Sequence, residues 1–192
     1  MRTSTRPPSF SAVASSAFET SDLNEVIREV VELMEPRAAE IGVDLRLVAD
    51  ESLPRISIDP EGIHRAVLNI VSNALDATAE KEGGRVEVRT KYDPQQSVAC
   101  VQVLDNGVGI SLEELPQLFA LFSSTKGARG TGIGLPVSEK IVREHRGRII
   151  VRSQPGEGTE FTVELPAHAN HATPRERLTQ DGSRSPLPPG EG

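Results

Sequence analysis

The stretch HRAVLNIVSNALDATAE, residues 64–80, combines an apolar helical face with a stripe of polar side chains. At helical spacing the apolar face comprises Ile63, Val67, Ile70, Val71, Ala74 and Leu75. The polar stripe comprises Arg65, Asn69, Asn73 and Asp76. Asparagine is a weak helix former because its side chain competes for backbone hydrogen bonds, so two asparagines one turn apart indicate a role other than folding. The alternative is a solvated helix face, which more usually carries Glu, Lys and Arg.

The composition is that of one acidic domain with tails. The chain has 192 residues and a net charge of -7, which argues against a nucleic-acid-binding protein because such proteins carry a basic stripe. Its single cysteine, Cys100, lies in an alternating apolar run and is predicted to be a buried structural thiol. No apolar segment approaches the roughly 18 residues that span a bilayer. We therefore expect a cytoplasmic chain without membrane contact.

Helices and strands alternate through the first half of the chain. The predicted elements are a helix over residues 23–34, strands over 43–49 and 56–58, and the central helix, which ends before Gly83. Ser21 or Asp22 is predicted to cap the first helix, and Asp59 with Pro60 to open the central one. Pro36 predicts either a kink or the start of a second helical piece that ends at Gly42.

The second half adds two hairpins and two helices. Ser111 is predicted to cap a short acidic helix that Pro116 stops. The other predicted elements are, in order, strands 85–90 and 98–104, a mobile loop over 118–130, a helix over 132–145, and strands 148–152 and 160–165.

This order of elements favours an α/β (α+β) fold. Helices and antiparallel hairpins in this arrangement segregate into a two-layer sandwich, with the helices on one face of a mixed, largely antiparallel sheet. Residues 1–17 are rich in Ser, Pro and Ala and are expected to form a flexible arm. Residues 167–192 are expected to be a disordered tail, which leaves residues 18–166 as the domain.

Glycine clusters follow the central helix at three places. They comprise Gly107 and Gly109, then Gly130, Gly132 and Gly134, then Gly156 and Gly158. The second cluster, GTGIGL, matches neither a P-loop nor a dinucleotide-binding pattern. It does open a predicted helix, whose backbone N–H groups offer an anion site, so a phosphate there is plausible on chemical grounds.

Asp105 ends an apolar strand and is expected to be partly buried. A carboxylate there can accept a hydrogen bond from an exocyclic amine, which adenine presents and guanine does not. Close approach of a flat base to the backbone would explain Gly107 and Gly109. Without the other glycine clusters, a turn residue in a D-N-G hairpin would be the default interpretation.

Five motifs in order resemble those of the ATP-binding domains of sensor histidine kinases. The motifs are Asn69-x-x-x-Asn73, DNGVGI, LFALFSSTK, GTGIGL and GEGTEF, and they look like the Asn box, first glycine box, phenylalanine box, second glycine box and third glycine turn. These domains belong to the ATPase superfamily shared with gyrase B, the heat-shock chaperone and MutL. The resemblance covers residues 18–166 and implies ATP and Mg²⁺ as cofactors.

The resemblance implies a role for each matched residue. The residues implied to contact ATP are Asn69, Asn73, Asp76, Asp105, Gly107, Gly109, Ile110, Phe122, Lys126, Gly130, Thr131, Gly132, Gly134, Leu135 and Thr159. Asn73 would supply an oxygen to Mg²⁺, a hard ion, and Asn69, Asn73 and Lys126 would be the catalytic residues. Asp105 would hold the adenine amine, and residues 118–130 would form the lid. Lys126 and Arg129 are equally well explained as solubilising charge.

Asn69 bears on the type of reaction. Hydrolytic members of the superfamily carry Glu one turn before the metal-binding Asn, as the general base for water. An amide cannot accept that proton, so the resemblance favours phosphoryl transfer to a protein side chain over hydrolysis. Asp76 departs from the kinases that carry Lys there, although it resembles a NALDA variant.

The phosphoacceptor histidine of the family finds no match in this chain. The family's acceptor is followed by an acidic residue and shortly by Asn-Pro, unlike His64, His145, His168 and His171. His145 is instead predicted to lie at a helix end, favoured by the dipole. The implied partners are a dimerisation domain that carries the acceptor and a response regulator. An anti-sigma-type serine kinase and a non-catalytic nucleotide-binding regulatory module are the alternatives.

Overall fold

The computed structural model describes residues 18–119 and 134–167. The helices are α1 (Leu23–Glu40), α2 (Pro60–Thr78) and α3 (Gly134–Glu144), with a 3-10 turn at Leu115–Gln117. The strands are β1 (Glu19–Ser21), β2 (Asp44–Val48), β3 (Ile56–Ile58), β4 (Arg85–Asp93), β5 (Val98–Asp105), β6 (Arg148–Gln154) and β7 (Gly158–Pro166). The predicted arm, most of the predicted lid and nearly all of the predicted tail lie outside the described residues.

A five-stranded sheet carries the helices on one face, which confirms the predicted fold class. Its order is β2-β4-β5-β7-β6, and only the β2–β4 pair is parallel. Side chains alternate along β5, so that Ala99, Val101 and Val103 are buried towards the helices. The strand β1, which was not predicted, pairs antiparallel with β3 in a small second sheet. None of the described helices is long and apolar enough to cross a membrane.

The central helix α2 begins and packs as predicted. Asp59 is its N-cap and accepts a hydrogen bond from the Gly62 N–H at 3.1 Å, with Pro60 as the first helical residue. Its apolar face is buried, and Ile70 and Leu75 have no exposed surface. Burying a side chain of this size stabilises the fold by roughly 1.5–3 kcal/mol, so this face anchors the polar stripe on a rigid element.

Pro36 neither ends nor divides the first helix. The helix α1 continues through it to Glu40, because buried Met34 and Ala38 on either side hold the chain against the core. The packing offsets the loss of one backbone hydrogen bond at the proline.

The prediction of a short α-helix after Ser111 is wrong, because the structure has a turn followed by the 3-10 turn there. The Glu114 carboxylate accepts hydrogen bonds from the Ser111 N–H at 3.2 Å and the Ser111 hydroxyl at 2.8 Å, in a tight turn. The following 3-10 turn includes Pro116. Proline has no N–H for an α-helical bond to the preceding turn, and it is tolerated where a helix begins, so it lies inside the 3-10 turn.

His145 follows the last residue of α3, as predicted, but its contacts are those of a buried linking residue. Its Nδ1–H donates to the Ile141 carbonyl at 2.7 Å, and its Nε2 accepts from the Asp59 N–H at 2.9 Å. The ring lies 4.6 Å from that of Phe18. Because Nε2 accepts a hydrogen bond, the imidazole is neutral, and it joins the end of α3 to the start of α2 instead of acting on the dipole as a cation.

Cys100 is half-buried, so the prediction of a buried thiol is wrong. It alternates with Ala99 and Val101 and therefore lies on the sheet face opposite to the helices. Partial burial raises the pKa of the Cys100 thiol, and the Glu164 carboxylate adds to this effect. A raised pKa lowers the thiolate fraction and with it the reactivity, in keeping with a structural residue.

Candidate functional site

Four elements lie beside α2 along its polar stripe: the start of α3, the end of β5, the loop after β5, and β7. The side chain of Asn69 contacts the start of α3, and the backbone at Ala77 contacts the loop after β5 through a hydrogen bond from the Val108 N–H. Asp105, at the end of β5, pairs with Thr159 in β7. The structure thus brings the predicted adenine-binding residues to one end of α2 and the first residue of α3 to its middle.

Asp105 is held in place by backbone hydrogen bonds. Its Oδ1 accepts from the Gly107 N–H at 2.9 Å and from the Thr159 N–H at 3.2 Å. Its position after Val101 and Val103 places it on the helix side of the sheet. A carboxylate fixed in this way is preorganised to accept a hydrogen bond from a ligand.

The backbone of the protein itself requires glycine near Asp105. A Cβ on Gly107 would lie 2.4 Å from the Ala77 carbonyl oxygen, and one on Gly109 would lie 2.1 Å from the Gln154 carbonyl oxygen. Gly109 also has a positive φ of 70°. Packing of this loop against α2 and the end of β6 therefore explains both glycines, and the earlier interpretation, close approach of a base, is not needed.

Asn69 fastens α2 to α3. Its Nδ2 donates to the Gly134 carbonyl at 3.2 Å and to the Ser138 hydroxyl at 3.3 Å. A Cβ on Gly134 would meet Asn69 only at 3.5 Å, an ordinary contact, so this packing alone does not require glycine there. Ser138 was not predicted as a site residue, although a small polar residue between the apolar Leu135 and Val142 of α3 was an available signal.

Asn73 lies one turn after Asn69 and is half-buried. Within residues 18–119 and 134–167, no hydrogen bond joins its side chain to another residue. Those residues contain no cluster of three or more His, Cys, Asp or Glu side chains that could hold a metal. An amide oxygen is a suitable ligand for a hard cation that keeps waters and phosphate oxygens as its other ligands, so the donor set fits Mg²⁺.

Asp76 makes an ion pair with a residue that the sequence analysis missed. Arg37 of α1 donates to the Asp76 carboxylate at 2.5 Å and to the Ser72 hydroxyl at 2.7 Å. Arg37 and Asp76 are 43% and 32% exposed, so water screens the pair in part. The structure thus places an arginine beside the polar stripe, next to the turn that carries Asn73.

The remaining predicted site residues divide into two groups. Ile110 and Leu135 are partly buried against the core, and the Ile110 N–H donates to the Ser153 hydroxyl at 2.8 Å. The others, which belong to the predicted lid and second glycine cluster, lie outside the described residues; they are Phe122, Lys126, Arg129, Gly130, Thr131 and Gly132.

Known proteins resemble this chain in both sequence and fold. Residues 58–169 match the family described as histidine kinase-, DNA gyrase B-, and HSP90-like ATPase. The sensor histidine kinase ZraS of Klebsiella oxytoca is 37% identical over 151 residues, which cover 79% of this chain and 32% of that protein. Full-length ShkA, solved in complex with AMPPNP, has a TM-score of 0.73 at 27% identity and covers 84% of this chain, which spans 33% of ShkA.

Nearly the whole catalytic domain of the histidine kinase ThkA corresponds to this chain. It has a TM-score of 0.69 at 30% identity, and the match covers 79% of this chain and 96% of that domain. ThkA has also been solved in complex with a response regulator protein. The chain spans only part of the length of the curated relatives it matches, from 20% of one to 41% of another. The chain therefore belongs to the histidine kinase-, DNA gyrase B- and HSP90-like ATPases, as a catalytic domain of the histidine kinase type.

Proposed function

We propose that this domain binds Mg-ATP and transfers the γ-phosphoryl group to a histidine on a separate dimerisation domain. The observation that carries the proposal is the amide at Asn69, which donates to the Gly134 carbonyl and the Ser138 hydroxyl. This position holds no carboxylate that could remove a proton from water. The domain then positions ATP, and the acceptor histidine brings its own nucleophilic nitrogen.

Each end of the site has its own role in this proposal. Asp105 and Thr159 bind the adenine, and the start of α3 at Gly134 receives the phosphates together with the preceding glycines. Asn73 would hold Mg²⁺, which when bound neutralises negative charge on the phosphates. Lys126 of the predicted lid would contribute a positive charge. We further propose a response regulator as the downstream partner, on the precedent of the ThkA complex, and a cytoplasmic location.

Phosphoryl transfer in trans tests this function. The purified chain is incubated with γ-labelled Mg-ATP and the cognate dimerisation domain as a separate polypeptide, beside a control in which the acceptor histidine is replaced by glutamine. We expect label on the acceptor that is lost in acid and kept in base, as for a phosphorus–nitrogen bond. Acid-stable label on serine would support the anti-sigma-type kinase instead. Free phosphate without labelled protein would indicate a hydrolytic ATPase.

Arg37 provides a prediction about charge near the phosphates. Replacing Arg37 by alanine is expected to weaken Mg-ATP binding about fivefold, because the Asp76 carboxylate loses the guanidinium that compensates its charge beside a triphosphate. The free energy of unfolding should fall by less than about 1 kcal/mol, since the pair is partly exposed. Calorimetric titration and urea unfolding measure the two effects.

A double variant separates charge from shape. Arg37→Ala combined with Asp76→Ala removes both charges, so its affinity for Mg-ATP should return to near the wild-type value. Asp76→Ala alone leaves Arg37 without its counter-charge and should bind more tightly than wild type. Affinity as low in the double variant as in Arg37→Ala would contradict the proposed compensation.

A further inference from the structure

Ser138 is a buried hydroxyl in direct contact with Asn69. It is 0% exposed, and its Oγ lies 3.0 Å from the Ala66 carbonyl oxygen and 3.0 Å from the Gly134 carbonyl oxygen. The Asn69 amide donates to the same Oγ at 3.3 Å. Ser138 therefore sits where α2, α3 and the first asparagine of the stripe meet.

These contacts settle which way the Asn69 carboxamide points. The Gly134 carbonyl can only accept a hydrogen bond, so the group facing it must be the amide N–H₂ of Asn69. The Ser138 hydroxyl has one hydrogen, which it donates to a backbone carbonyl, and its lone pairs then accept from the same Asn69 amide. The carboxamide oxygen of Asn69 lies 3.6 Å from the position that a Cβ on Gly134 would take, and none of the described residues donates a hydrogen bond to it.

An oxygen in that position has a restricted choice of ligands. Two acceptors repel each other, so the Asn69 oxygen cannot contact a phosphate oxygen favourably without a cation or a water between them. A hard divalent cation, or a water bound to such a cation, can contact the Asn69 oxygen and a phosphate oxygen at the same time. We propose that Ser138 is a positioning residue that holds the Asn69 carboxamide oxygen towards the metal-bound side of the nucleotide. This inference rests on the proposed binding of Mg-ATP.

The test compares ADP binding with and without the metal. Ser138→Ala removes the hydroxyl while keeping a good helix former. We expect the gain in ADP affinity that Mg²⁺ produces to fall about fivefold, as for loss of one hydrogen bond, while affinity in EDTA stays within about twofold of wild type. Thr78→Ala is the matched control, because Thr78 is also 0% exposed and its hydroxyl bonds backbone carbonyls of α2 without contacting Asn69.

A double-mutant cycle separates positioning from general stabilisation. If Ser138 acts through Asn69, then Ser138→Ala should have no further effect on the Mg²⁺ gain once Asn69 is alanine, although it still lowers the unfolding temperature. Equal losses in EDTA and Mg²⁺, additive losses in the cycle, or an unchanged Mg²⁺ gain in Ser138→Ala would each overturn the inference. A wild-type chain that binds no ADP at all would instead refute the proposed function.

Discussion

Replacing Asp105 by asparagine is expected to weaken ATP binding about 100-fold and leave the fold intact. The amide oxygen of the new side chain can still accept the hydrogen bonds from Gly107 and Thr159. Its N–H₂ group then faces the adenine amine, so a charged hydrogen bond worth about 1.5–3 kcal/mol is lost and two donors oppose each other. Titration calorimetry with ATP measures the loss, and urea unfolding checks the fold.

Base selectivity gives this prediction a second readout. Guanine carries a carbonyl where adenine carries the amine, so the preference for ATP over GTP should shrink or invert in Asp105→Asn. Asp93→Asn is the matched control, because the Asp93 carboxylate also accepts two backbone N–H bonds, at the far end of the same hairpin. An Asp105→Asn variant that binds ATP as tightly as wild type would contradict the assignment of Asp105 to the adenine site.

Replacing Gly158 by alanine is expected to destabilise the domain by about 3–5 kcal/mol. Its φ is +117°, and a Cβ there would lie 2.0 Å from the Asp105 carbonyl oxygen. Backbone strain of roughly 1–3 kcal/mol adds to a steric cost of similar size. Because Gly158 meets the backbone of Asp105, the strand pair that orients the carboxylate must also shift. Thermal unfolding should show a midpoint lower by about 10–15 °C.

Gly156, in the turn just before Gly158, separates the effect of the steric contact from the effect of the backbone conformation. It has a φ of +82°, but a Cβ there would meet nothing within 4 Å. Gly156→Ala should therefore cost only the backbone strain of about 1 kcal/mol. Equal destabilisation by Gly156→Ala and Gly158→Ala would show that the approach to Asp105 has no energetic weight.

Local patterns in the chain were sufficient to predict most of the elements. The start of α2 at Asp59 and Pro60 depends on neighbouring residues, and so does its apolar face, which is why both were predicted correctly. The sequence around Pro36 could not exclude a second helical piece because the cost of the proline is local, whereas the burial of α1 that outweighs it comes from distant strands and helices. The short strand β1 was missed because only pairing with β3 makes it a strand.

The residues of the candidate site likewise include some that the sequence indicates and others that only the structure shows. Asn69 and Asn73 stand out in the sequence because polar residues interrupt apolar periodicity there, and Asp105 because it ends an apolar strand beside glycine clusters; both signals are visible without a fold. Arg37 carries no such mark and Ser138 only a weak one, a small polar residue in an apolar helix, since their importance comes from contacts with residues 35 and 69 positions away in the chain. The sequence alone was enough to propose which amides and which carboxylate bind ATP. Only the tertiary structure determines how those side chains are oriented, through the contact of α3 with Asn69 and of β7 with Asp105, because an orientation is set by partners that are distant in the chain.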